Sequence, residues 1–114
     1  MLDKLTTDRD VGNFSNMKAV EIVNRRQVVA VDTFVEIVIW RLTRPLPPVT
    51  HRLKYRFAYV VVGECVVRFD NERGKGDHRH FGDLERPYRF SSIDNLLSDF
   101  SSDVSRWNHE NSRA

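Results

Sequence analysis

The sequence is poor in the residues that most often announce a function. It has one cysteine, Cys65, in 114 residues. No intramolecular disulfide can form, and no CxxC pair is present for a structural zinc or a dithiol centre. The lone thiol fits a reducing cytoplasm, and Cys65, inside an apolar strand pattern, reads as a small core residue. Long hydrophobic runs are missing too. The longest, Phe57–Val62, is six residues, against about 20 for a membrane-spanning helix. The N-terminal MLDKLTTDRDVGNF has no apolar centre of signal-peptide type, so export and membrane insertion are not expected. Neither charge sign dominates, the net charge being +2.

What is present is an ordinary globular composition, 40% hydrophobic and 30% charged, on a chain long enough for one domain with a modest core. The charge is unevenly placed. Residues 41–89 carry eleven Lys/Arg against six Asp/Glu, and the remainder seven against ten. A basic centre within an acidic periphery favours a polyanionic partner at the centre.

Residues 1–16 are polar and aperiodic and read as a tail. Met17 is an alternative start, the domain is expected over 17–108, and 109–114 form a second polar tail. From Lys18 the hydrophobic period is two. Residues 19–31 read as one bent strand or a hairpin around Asn24–Gln27, and FVEIVIWRL (34–42) as a strong strand. Three prolines between Arg44 and Pro48 force an extended connector. HRLKYRFAYVVV (51–62) and CVVRFDN (65–71) read as strands joined through Gly63-Glu64. Tyr88–Phe90 reads as a short last strand. The period then changes: Ile93, Leu96, Leu97, Phe100, Val104 and Trp107 form the apolar stripe of a helix capped by Ser91 or Ser92. The expected fold is α+β, an antiparallel meander of four to five strands with the C-terminal helix packed on one face.

The chemistry concentrates in RGKGDHRHFGD (73–83). Gly74 and Gly76 flank Lys75, a pattern that suits either a turn or a backbone cradle for phosphate; it is neither a Walker A loop nor a dinucleotide fingerprint. His78 and His80, two apart on an extended segment, project to one side. Metal-independent RNA cleavage needs a base for the 2′-hydroxyl, an acid for the 5′-oxygen and cations for the charged phosphorane. The run supplies all of these: His78 and His80 as acid and base, Lys75, Arg79 and Arg73 as phosphate stabilisers, Asp77 and Asp70 as orienting groups. A polar loop with exposed histidines is the bland alternative. A metal site built from His78, His80 and Asp77 with His51 or His109 is disfavoured by the adjacent lysine and arginine, so neither metal nor other cofactor is expected. Arg52, Lys54 and Arg56, alternating with aromatics, are expected with Arg68 on the sheet face away from the helix, where they meet phosphate backbone rather than stack bases. Gly74, Gly76 and Arg73 extend that surface.

The segments VEIVIWRLTRPLPPVTHRLKYRFAYV, CVVRFDNERGKGDHRH, YRF and LLSDFSSDV resemble the TumE family of small bacterial toxins from type II toxin–antitoxin modules. The resemblance covers residues 17–107, with residues 1–16 outside it, and 55–80 is its most specific part. It implies a cytoplasmic, growth-inhibiting protein neutralised by a cognate antitoxin of helix-turn-helix type, with RNA as the target. The leading expectation is a metal-independent ribonuclease. The alternative is a non-catalytic RNA- or protein-binding module acting through its basic sheet face, and a third reading is a metal-dependent nuclease.

Overall fold

A computed structural model describes residues 18–113; the tail expected over 1–16 and the start at Met17 lie outside the described residues. Six strands form one antiparallel sheet in sequence order: β1 (Ala19–Ala30), β2 (Thr33–Leu42), β3 (Leu53–Val61), β4 (Glu64–Glu72), β5 (Gly76–Phe81) and β6 (Leu84–Pro87). One helix, α1 (Ile93–Glu110), follows. The α+β meander with a C-terminal helix is as expected, with one or two more strands.

The first two strands are a long hairpin. β1 runs unbroken through Asn24–Gln27, with register shifts at Glu21/Val23 and Val28/Ala30, so the hairpin envisaged inside residues 19–31 does not form. The β3–β4 turn falls at Val62-Gly63, one residue earlier than Gly63-Glu64. Both turn residues have positive φ, +49° and +75°, as a two-residue turn matched to strand twist demands. For a β-branched valine that conformation is strained.

The expected strand at Tyr88–Phe90 is displaced. Gly82-Asp83 closes a tight hairpin, with Phe81 opposite Leu84, so the last strand comes earlier and ends at Pro87, which has no N–H to donate. Tyr88 instead turns under the helix: its ring meets Phe69 edge-on and its hydroxyl donates to Asp99 at 2.6 Å. Phe90 stacks on Tyr55.

Period-two alternation puts Ile39, Tyr55, Phe57, Tyr59, Val67 and Phe69 on the helix side of the sheet, all buried. Leu96 and Phe100 of α1 close over them, and Phe100 meets Phe57 and Phe69 edge-on. Ser92 caps the helix by accepting from Asn95 N at 3.0 Å. Asp103 lies within the buried stripe and is tied to Arg79 Nη2 at 2.9 Å. The proline connector ends the other face: Leu46 packs with Leu42 and Trp40, and Pro47 O accepts from Gly74 N at 2.8 Å.

Candidate acid–base site

The site lies on the sheet face opposite the helix and is built by register. Asp70 pairs with His78 across β4–β5, Arg68 with His80, and His80 with Glu85 across β5–β6. Residues directly opposite on antiparallel strands share a face, so five polar side chains converge on one patch. Lys75, in the turn before β5, curls onto the same patch and pairs with Glu85.

His78 is buried, and both its nitrogens face acceptors. Nδ1 lies 3.1 Å from the Gly76 carbonyl, to which it donates. Nε2 stands 2.9 Å from Asp70 Oδ1 and 3.5 Å from Glu85 Oε2. His80 is the converse case. Its Nε2 is 2.9 Å from Arg68 Nη2, and because guanidinium only donates, this nitrogen carries the lone pair. Burial pushes His80 below the ordinary histidine value, and the Arg68 cation pushes the same way. The two imidazole centroids are 5.1 Å apart. Lys75 lifts above the usual lysine value through its hydrogen bond to Glu85, which for the same reason falls below the usual carboxylate range.

Arg68 Nε lies 3.2 Å from Asp70 Oδ2. Among the described residues, two buried side-chain polar atoms lack an aligned hydrogen-bond partner, Arg68 Nε and Asp70 Oδ1, and both are in this cluster. Such unsatisfied atoms are uncommon in native interiors, and here each still has an oppositely charged or polar neighbour within 3.2 Å.

The structure divides the remaining expected site residues. Asp77 and Arg79 point to the helix side. Asp77 Oδ1 accepts from Tyr55 Oη at 2.7 Å and from His51 Nε2 at 2.9 Å; burial and the adjacent Asp77 push the Tyr55 phenol far above its ordinary value. Arg79 lies over the Phe69 ring, 4.7 Å from its centroid, and binds Asp103. Gly74 and Gly76 serve the turn. Both have positive φ, and a side chain at Gly76 would meet the Pro48 ring at 3.4 Å. The N–H groups of Gly74 and Lys75 already donate to Pro47 O and Glu72 O, so these two are not free to cradle phosphate. Arg73 lies in the same turn.

The open basic face is also revised. Lys54 is buried, pairs in register with Trp40 beside the connector cluster, and donates from Nζ to the Asn71 carbonyl. Arg56 is bound to Glu36 at 2.9 Å. Arg52 is exposed, just before β3. The face is therefore a mosaic of both signs. Glu85 was not singled out from sequence; recognising Gly82-Asp83 as a hairpin turn would have placed it opposite His80.

A six-stranded meander, helix-covered on one face and carrying two histidines among arginine, lysine and carboxylates on the other, defines a small α+β protein with a candidate acid–base site. The chain belongs to the TumE family: the family model described as Toxin TumE matches residues 3–108, reaching back through the polar segment that the sequence resemblance left out. The protein is thus a member of a toxin family, which implies an antitoxin partner in general. No curated protein and no solved structure matches the chain significantly. No helix among the described residues is long and apolar enough to cross a membrane.

Proposed function

We propose that this toxin is a metal-independent ribonuclease with His80 as base and His78 as acid. The observation that carries the reading is the unlike wiring of two neighbouring imidazoles: His80 Nε2 accepts from a cation, while both nitrogens of His78 face acceptors. That difference suits opposite proton-transfer roles. His80 takes the proton of an RNA 2′-hydroxyl. The 2′-oxygen attacks the adjacent phosphorus, the bond to the 5′-oxygen breaks, and His78 protonates that leaving oxygen. The products are a 2′,3′-cyclic phosphate and a 5′-hydroxyl. Arg68 and Lys75, on the same patch, stabilise the charged phosphorane, and Asp70 orients His78. Asp77 and Arg79 act from the other face as positioning residues for β5. The partner is a cognate antitoxin of helix-turn-helix type with an acidic surface covering Lys75–His80.

The test is induced expression with and without the adjacent gene, with mapping of RNA ends. Growth arrest with new 5′-hydroxyl ends, insensitive to chelator in the purified reaction, is the expected outcome. His78→Ala and His80→Ala should each slow cleavage by about 10²–10⁴-fold. Growth inhibition that survives both changes but is lost on Arg52→Ala and Arg56→Ala would replace catalysis with binding through the sheet face.

A further inference from the structure

The same patch has the donor set of a transition-metal site. Asp70, His78 and His80 present ligand atoms that all lie within 4.8 Å of one another. Glu85 Oε2 adds a fourth, 3.5 Å from His78 Nε2 and 3.6 Å from His80 Nε2. A tetrahedral ion with bonds of about 2.0–2.1 Å separates its ligands by about 3.3–3.4 Å. The three edges that run through the histidines to the carboxylates, 3.5 Å, 3.6 Å and 2.9 Å for His78 Nε2 to Asp70 Oδ1, lie close to that value. Asp70, His78 and His80 lie within 4.8 Å of one another, and Glu85 joins the set through the two rings. Two further details belong to such sites. The Nδ1–H of His78 is held by a backbone carbonyl, which fixes the tautomer that offers Nε2, the usual outer support of a metal-bound histidine. Asp70 Oδ1 is buried, faces His78 Nε2 at 2.9 Å and has no aligned hydrogen-bond donor, so it shares the space between the two residues with the imidazole lone pair.

The cations beside the patch are partly neutralised within it. Lys75 and Arg68 are each tied to a carboxylate of the cluster. Arg68 is half-buried and reaches His80 Nε2 with the outer end of its guanidinium. Two carboxylates and two neutral imidazoles give a set of formal charge −2 for a divalent ion, and the N2O2 composition suits zinc.

We propose that Asp70, His78, His80 and Glu85 form a divalent transition-metal site for which Zn²⁺ is the fitting ion, and that metal and substrate compete for the histidines. An ion there takes the Nε2 lone pairs of both rings, displaces Arg68 from His80, and leaves neither imidazole able to move a proton. This second part rests on the ribonuclease reading; the binding does not.

The test is titration of chelator-treated full-length protein with Zn²⁺ alone, followed by calorimetry, and with Co²⁺, whose visible absorption reports four-coordination. The expected result is one saturable site per chain with the intense spectrum of tetrahedral cobalt. Asp70→Asn, His78→Gln and His80→Gln should each weaken binding at least about tenfold. Glu85→Gln should do the same, and its exposed position on the last strand keeps the fold intact. His109→Gln, exposed near the helix end, should change nothing. No saturable binding, or binding unchanged in Glu85→Gln and His78→Gln, overturns the site. Cleavage undiminished by saturating Zn²⁺ overturns the competition. A protein that binds Zn²⁺ yet never cuts RNA upholds the site and removes the competition together with the ribonuclease reading.

Discussion

Arg68 and His80 face each other across β4 and β5, and the guanidinium donates to the imidazole Nε2 at 2.9 Å. The contact holds the proposed base as an acceptor and puts a cation where phosphate would arrive. Arg68→Gln should therefore lower cleavage by about 10²–10³-fold while tightening Zn²⁺ binding, because the competing cation is gone. Single-turnover cleavage and calorimetry on the same preparation measure both. A fall in both would assign Arg68 to the fold alone.

Arg79 supplies the contrasting case. It reaches Asp103 on the helix side of the sheet. Arg79→Met should reduce stability by about 1–3 kcal/mol, because Asp103 is left largely buried and unpaired while the partner site is partly open to water. Activity per folded molecule should persist, as read by denaturant melts and cleavage kinetics. Lost cleavage in a variant with a normal melt would return Arg79 to the site.

The Tyr55 hydroxyl donates to Asp77 at 2.7 Å, and its phenol is held well above the ordinary tyrosine value, chiefly by burial. Tyr88 is raised likewise, by burial and Asp99. The folded state therefore keeps protons that the unfolded chain releases above about pH 10. The contribution of these two phenols to stability should be level below that pH and fall as pH rises beyond it. Tyr55→Phe should flatten the alkaline limb of a melting-temperature profile while costing about 1 kcal/mol at neutral pH.

Val62 has φ +49° in the β3–β4 turn and is largely exposed. Val62→Asn creates an Asn-Gly turn suited to that conformation, and should stabilise the protein by about 1 kcal/mol. A raised melting temperature with unchanged cleavage is the expected reading; no change would mean the turn relaxes.

Much of this architecture is legible in the sequence, for physical reasons. Alternation fixes which side chains share a strand face, so His78 and His80 fall together, and the helical stripe from Ile93 to Trp107 dictates which face the helix covers. The displaced element is the last strand, expected at Tyr88–Phe90 and found at Leu84–Pro87, because Gly82-Asp83 carries only a weak turn signal. Gly82-Asp83 closes a second hairpin, and only with it does β6 bring Glu85 opposite His80. Lys54 shows the other limit. Its alternation points it away from the helix as expected, yet burial depends on where the proline connector packs, a long-range outcome that local pattern does not encode.

The two walls of the histidine patch differ in how firmly they are held. β4 is interior to the sheet, paired on both sides. β6 is a four-residue edge strand, exposed throughout, and it carries Glu85. Backbone amides in such a strand exchange with solvent through local fraying, whereas central strands exchange only through larger openings. Release of Glu85, and with it the tether on Lys75, is thus a local equilibrium separate from global unfolding. A binding partner that extends the sheet at β6 would set how often the histidines are uncovered without touching either ring.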